Sequence, residues 1–529
     1  MLRSYIRKID EKLFHGAIRK IYIRLFHREL LGFIYSSEYA SQVEEYVKDP
    51  KIREELKYVD PKNVLTSGRL DIIARYYLFK DIAYNKENSA HKSLYCRTIM
   101  TRTGAIEPKE FFSTNDKEGI ERHIEVAKEL SESIKKKGFD KKEYIPIGED
   151  FGIYNGAHRL ACAMALDEDV WVRICGDHGV KDMDFSWFDE NGFSNDDKIR
   201  LLRGFADIHK QCGIFILYHP SYDRWEYIQN EMKKYMNIVG FVDLDYTHDY
   251  IGYENLIRDI YHTYDESEDN TISRKINLLK LSRLIVRVIL VSDERDSVEN
   301  DKLSISDDYD LYDRIVRFKA EIRKKLKYDV EDDAYITLHA SDTEEEFEDL
   351  KQIVLSVNNL KWISKRPKIS IRKDFIVWLQ CFKEWADNNN INTDDTCIVG
   401  SSPLEVFGIR DSTDIDIMVA PELRYVFGNG LTHVTELLDI GTRNYVRSDK
   451  EVLVTDEQLI YDDEYHFMFM GFKFANPELV QYRKSFSDQE KDIKDVKLLK
   501  IFFDYTNNFD NKEVLVKQIE REVKRRNLS

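Results

Sequence analysis

Residues 397–421 read CIVGSSPLEVFGIRDSTDIDIMVAP, and the fold of the C-terminal third turns on them. The apolar run Cys397–Val399 predicts a short buried strand, and Gly400-Ser401-Ser402 predicts the turn that ends it. A glycine there lets backbone approach a phosphate, and the two hydroxyls can add hydrogen bonds. About a dozen residues later Asp414 and Asp416 alternate with Ile415 and Ile417. Side chains two apart on a strand share a face, so both carboxylates point one way while the isoleucines enter the core. Paired hard oxygen ligands at a strand edge suit Mg²⁺, which keeps waters and bridges carboxylates to substrate phosphates.

In this combination of strand, Gly-Ser turn and Asp-x-Asp strand the chain resembles the polymerase-β-like nucleotidyltransferase superfamily. The resemblance runs over roughly residues 369–500 and is carried by Gly400, Ser401, Asp414 and Asp416. It implies a nucleotidyltransferase fold, Mg²⁺ held by Asp414 and Asp416, and a nucleoside triphosphate (ATP or CTP) as substrate. It also implies a third carboxylate, acting as metal ligand and general base. Asp462, Asp463 and Glu464, in YDDEYHFMFMGFKFA ahead of an expected hairpin, are the candidates, and sequence leaves the choice among them open. Downstream, Lys473, Arg483 and Lys491 are candidate phosphate contacts in the segment that resembles the helix following the core in small-molecule nucleotidyltransferases.

A second signal lies at 145–166, IPIGEDFGIYNGAHRLACAMAL. A strand leads to Asn155-Gly156, a helix opens near Ala157, and His158 and Arg159 fall in its first turn. A helix N-terminus has unpaired N–H groups and a positive end, so this pattern predicts an anion site. The order of long helix, I-P-I strand, G-x-H-R and small-residue helix resembles the ParB/sulfiredoxin superfamily over about residues 103–175, through Gly156, His158 and Arg159. That resemblance implies nucleotide triphosphate binding, in some members with CTP hydrolysis, serine phosphorylation or sulfinic acid reduction. Sulfiredoxin chemistry needs a reactive cysteine beside the motif, whereas Cys162 lies inside the helix. A kinase would need a carboxylate base, for which Glu107 and Glu118 are the candidates.

At 529 residues the chain exceeds a single core, and domains of roughly 100–200 residues predict several units. The expected organisation is α/β and α+β, multidomain: a helical region over 1–90, a ParB/sulfiredoxin-like α+β domain over 91–180, an α/β module of unassigned role over 181–367, and a nucleotidyltransferase fold over 368–529. In the middle module GIFILY, NIVGFVDL, LIVRVILV and AYITLHA alternate with helical segments, and the acidic stretch 292–310 reads as a solvated loop. His339 at a strand end is a candidate for chemistry. Asp243, Asp245 and His248 in DLDYTH form a metal-like cluster without a glycine turn before it, which favours an ordinary strand end.

The net charge of −17 argues against a protein that wraps nucleic acid, since such binding depends on neutralising phosphates with Lys and Arg. Residues 1–33 are the local exception, with eight Lys or Arg against three acids at helical spacing. Such a helix either covers its own domain or touches an anionic membrane surface peripherally. No stretch approaches the ~20 apolar residues of a membrane span. Six scattered cysteines with no C-x-x-C suit free thiols in a reducing cytoplasm, where the protein is expected to reside.

Together these readings predict a nucleotidyltransferase that places a nucleoside monophosphate on a small acceptor, such as a sugar or polyol phosphate. It would be coupled to a nucleotide-binding or kinase domain, in a setting analogous to surface-polysaccharide synthesis. The alternatives are a nucleotide-gated, ParB-like DNA-binding regulator and a protein-modifying nucleotidyltransferase.

Overall fold

A computed structural model describes residues 56–85, 88–103, 119–176, 178–209, 211–262, 271–294, 309–326, 336–367, 371–423, 431–435, 437–441, 446–447 and 452–506. The basic segment 1–33, Glu107 and Glu118 lie outside the described residues. The chain mixes helices and sheets and divides into two compact units. One comprises residues 1–212 with 236–240 and 292–304; the other takes 213–235, 241–291 and 305–529. Among the described residues no helix is long and apolar enough to cross a membrane.

In the first unit a three-stranded sheet, ordered β1–β3–β2, is built from β1 (Lys57–Val59), β2 (Ile145–Gly148) and β3 (Val170–Gly176). Around it lie α1 (Asp71–Ala83), α2 (Ser89–Thr103), α3 (Gly119–Lys137), α4 (Ala157–Leu166) and α5 (Asn195–Ile208). Ala127, Ser131 and Ile134 of α3 are buried at helical spacing, and the helix stops where Gly138 takes φ +70°. On α4 the small residues Ala157, Ala161, Cys162 and Ala163 are buried, which lets α1 pack along it. Only Ile147 and Ile153 form a bridge where FGIYNG reads as a strand.

The second unit contains two larger sheets. The four-stranded one, ordered β5–β6–β4–β7, uses β4 (Cys212–Tyr218), β5 (Asn237–Asp245), β6 (Ile285–Ser292) and β7 (Leu338–Ala340), with the first residues of β4 and β5 and the last of β6 counted in the first unit. Its helices include α6 (Tyr250–Ile260), α7 (Thr271–Leu279), α8 (Leu311–Lys325), α9 (Glu344–Val354) and α10 (Val357–Lys365).

The six-stranded sheet runs β10–β11–β9–β8–β15–β14. Its strands are β8 (Thr396–Val399), β9 (Ile415–Val419), β10 (Leu431–Thr435), β11 (Leu438–Gly441), β14 (His466–Phe469) and β15 (Phe472–Ala475); β12 (Val446–Arg447) and β13 (Val452–Val454) form a separate ribbon. The β14–β15 hairpin closes through Met470 and Gly471, both at positive φ, as a two-residue turn between twisted strands requires. Helices α11 (Lys373–Asn388), α12 (Ser402–Val406), α13 (Asp456–Tyr461), α14 (Pro477–Lys484) and α15 (Glu490–Thr506) complete this region. Its core gathers Phe375, Phe382, Ile398, Ile417, Phe474 and Phe502, and α10 adds Trp362. Asn358 of α10 donates to the carbonyls of Asp463 and His466, so the two sheets of this unit share one packed body.

Candidate active site

The β8–β9 pair places the site. The strands are antiparallel with Val399 opposite Asp416, so the Gly400 turn and the start of β9 meet at one end of the sheet. Ile415 and Ile417 are buried, while Asp414 and Asp416 remain partly exposed, as strand alternation predicts. Gly400 sits at φ +68°, and a Cβ built on it would overlap the Asp416 carboxylate. Glycine is required twice over here, by the left-handed backbone and by the close approach.

The loop entering β9 is pinned from behind. Ser412 Oγ donates to the Asp414 carbonyl at 2.6 Å, and Ser402 Oγ donates to the same oxygen at 3.1 Å. Ser401 Oγ lies 3.0 Å from Ser412 Oγ. The buried Glu405 accepts the Ser412 N–H and is held in two-point contact by Arg372, at 2.8 and 3.0 Å. Ser401 and Ser402 are themselves buried, and their hydroxyls fix the carboxylate loop.

Parallel pairing of β11 with β9 sets Asp439 directly opposite Asp416. Burial first, then the charges of Asp414 and Asp439, push the Asp416 carboxyl up to about 6, against the pull of Lys484 and Lys491. Three carboxylates thus crowd one sheet end. Asp439 was not among the sequence-derived candidates; its signal is the alternation Leu438-Asp439-Ile440, the same pattern as in β9. Asp462 and Asp463 stand ahead of β14, which is three strands from β9, roughly 14 Å at ordinary strand spacing. Asp462 takes the N–H of Glu464 on its carboxylate, and the Asp463 carbonyl is bound by Asn358.

The basic candidates separate too. Lys473 is buried and donates to the Asp394 carbonyl at 2.6 Å, beside the N-terminal end of β8 and away from the Gly400 turn. Lys484 takes its place near the carboxylates, bonded to Asp492 at 2.6 Å and Asp495 at 2.9 Å, while Arg410 also grips Asp495. Lys491 and Arg483 are exposed, and the charge of Lys491 acts on Asp416.

Among the described residues no three His, Cys, Asp or Glu side chains close tightly enough to grip a metal ion by themselves. The crowding of Asp414, Asp416 and Asp439 is compatible with a divalent cation, whose charge would offset the burial and the neighbouring carboxylates that raise Asp416. A loosely held Mg²⁺ with waters and phosphate oxygens matches such a ligand set.

In the first unit Gly156 opens α4 at φ +95°, as the motif predicts. His158 and Arg159 then diverge. His158 Nε2 lies 3.0 Å from the Tyr95 hydroxyl, with the His123 ring stacked at 6.1 Å. Burial, and after it Arg75, holds the imidazole neutral, well below the usual histidine range. Arg159 reaches back to Glu143, with 3.0 Å to its carboxylate. The motif therefore brings one neutral inward imidazole and one paired guanidinium. Cys162 is buried, its thiol pushed up to about 12 by burial, which suits packing rather than reactivity.

In the middle region Asp243 is engaged by Arg287 at 2.8 and 2.7 Å and by the Tyr222 hydroxyl at 3.0 Å. Those partners occupy its carboxylate, so DLDYTH reads here as a strand end with an internal ion pair. Comparison of the chain with known family models, curated proteins and solved structures gives no match.

Proposed function

We propose that the C-terminal region is a Mg²⁺-dependent nucleotidyltransferase of polymerase-β-like type, and that the ParB/sulfiredoxin-like segment around Gly156 is an accompanying nucleotide-binding module. The observation that carries the first reading is Gly400, left-handed and packed on Asp416, with Asp414 beside it and Asp439 opposite. Asp414 and Asp416 would hold the ion, with Asp439 as the third carboxylate. When bound, Mg²⁺ supplies charge neutralisation on the phosphates and orients the leaving pyrophosphate.

The chain's own groups do the rest. Gly400 lets the Asp416 carboxylate lie against the turn, and Lys484 and Lys491 provide positive field beside an acidic edge. An acceptor hydroxyl placed between Asp416 and Asp439 has a carboxylate oxygen of Asp439 ready to take its proton. The proposed acceptor is a small molecule, such as a sugar or polyol phosphate. For the second module the support is the Asn155-Gly156 turn, in which Asn155 Oδ1 accepts the Gly156 N–H at 2.7 Å at the start of α4.

The test is pyrophosphate release by the full chain with Mg²⁺, each of the four nucleoside triphosphates, and pools of phosphorylated sugars, polyols and amino acids. Asp414→Ala/Asp416→Ala should lower release by about three orders of magnitude, the effect of losing several kcal/mol of charge stabilisation. Release that persists in the double variant defeats the reading. So does the absence of release alongside γ-phosphate loss that depends on His158 and Arg159.

A further inference from the structure

Lys275 occupies an unusual position for a lysine. It projects from the buried face of α7 with Ile276 and Leu279 and is 4% exposed. Its ammonium nitrogen lies 4.2 Å from the centre of the Tyr218 ring and 4.6 Å from that of Tyr261. It donates to the Tyr261 hydroxyl at 2.5 Å, and that hydroxyl lies 3.2 Å from the hydroxyl of Tyr218, the last residue of β4. No carboxylate pairs with it among the described residues. Ring faces return only part of what an ammonium loses on leaving water.

Two neighbours carry buried polar atoms without a hydrogen-bond partner. His339 of β7 lies against the Tyr261 ring, with centroids 4.9 Å apart, and its Nε2 is buried with no hydrogen-bond partner. Arg323 of α8 spends one nitrogen on the Leu338 carbonyl at 2.7 Å, while its Nε is buried and without an acceptor. Lys319 is paired with Asp342. Glu346 comes to 3.4 Å from His339 Nε2, but its other oxygen takes the Asp342 N–H at 2.7 Å. Burial, then the charge of Arg323, holds the Lys275 ammonium well below the usual lysine range, so the proton it carries would be favoured by an anion beside it. Burial, then Lys275, Lys319 and Arg323, drives the His339 imidazole down to about 3.

We infer that Lys275, Arg323 and His339, with the hydroxyls of Tyr218 and Tyr261, form a binding site for the phosphoryl group of a small molecule at the β4–β7 side of the middle sheet. A phosphoryl oxygen accepts from ammonium, guanidinium and hydroxyl donors alike, and its negative charge would favour the protonated form of Lys275. Tyr218 ends β4, the end of a strand where open α/β sheets place their ligands. Glu346 and Asp342, at 35% and 37% exposure, form the solvent-facing rim.

The test is titration calorimetry of the full chain with inorganic phosphate. It is run in an Asp414→Asn/Asp416→Asn/Arg159→Gln background, so that the other candidate phosphate positions do not contribute. One phosphate per chain is expected, displaced by glucose 1-phosphate and unaffected by chloride. Lys275→Met and Arg323→Gln should each weaken binding by about tenfold or more, as loss of a charge-assisted hydrogen bond does. Lys275→Met should leave the melting temperature unchanged or higher, since it removes a buried charge, whereas a purely structural lysine would lower it. Should Lys275→Met fail to fold, Tyr261→Phe keeps the ring, removes one donor and should weaken phosphate several-fold. No phosphate binding in the parent background, or equal binding after Arg323→Gln and Tyr261→Phe, overturns the inference. Neither outcome touches the nucleotidyltransferase reading, which rests on other residues.

Discussion

Two aspartates of this chain, the fully buried Asp71 and the half-buried Asp416, end in opposite electrostatic states. Asp71 is fully buried. Arg69 meets it at 2.8 and 3.0 Å, Arg75 at 2.6 Å, and Arg102 stands at 3.6 Å. Burial alone would raise its carboxyl, but Arg69, Arg75 and Arg102 hold it well below the usual carboxylate range. At Asp416 burial acts together with Asp414 and Asp439, and two lysines only partly offset them. The first site is a completed ion cluster that ties the start of α1 to α2; the second is an edge where like charges are set together. The difference teaches that burial by itself does not fix a carboxylate's electrostatic state, which is decided by the sign of the charges buried with it.

The comparison can be broken most forcefully at Asp71. Asp71→Ala would leave three guanidinium groups without their common partner and should destabilise the first unit by about 3–5 kcal/mol, read from chemical denaturation. A loss under about 1 kcal/mol would mean that the cluster is a passive surface-type network.

Next comes the identity of the third carboxylate. Asp439→Asn should reduce pyrophosphate release by about 10²–10⁴-fold, the range for a general base, while Asp462→Asn and Asp463→Asn stay near the parent rate. Equal loss at Asp462 would return that role to the β14 side.

The smallest effect is on stability. The folded-state carboxyl of Asp416 titrates near 6, above its unfolded value, so the folded protein binds the proton more tightly. Stability from this group is present below the unfolded value and is lost as pH rises through about 6. Asp416→Asn should therefore stabilise the metal-free second unit at pH 8 by about 1–2 kcal/mol, with the gain shrinking toward pH 4. Melting curves at the two pH values check this, and a gain that does not change with pH would place the cause in packing. Mg²⁺ should reduce the gain at pH 8 by stabilising only the parent carboxylate.

Much of the site was legible because its determinants are local. A strand has a two-residue period, so Asp414 and Asp416 had to share a face once Ile415 and Ile417 were assigned to the core. Gly400 was readable for the same reason, because a turn after an apolar strand favours the residue without Cβ. The Gly156 turn and the end of α3 at Gly138 followed from equally short-range chemistry.

The remainder was set by contacts between distant segments. Which strand lies beside β9 is a matter of long-range pairing, so nothing within 414–416 announces Asp439, 23 positions past Asp416. Lys473 shares its segment with true strand residues, yet the β15–β8 pairing turns its ammonium to the Asp394 carbonyl. His158 and Arg159 are adjacent in sequence, but a helix sends neighbours roughly 100° apart, one toward Tyr95 and the other toward Glu143. The sequence by itself determined the alternation that aligns the Asp414–Asp416 pair and the glycine turn that faces it. Tertiary structure alone decided which charges surround Asp71, Asp416 and Lys275, because those fields come from side chains on separate elements whose positions only packing fixes.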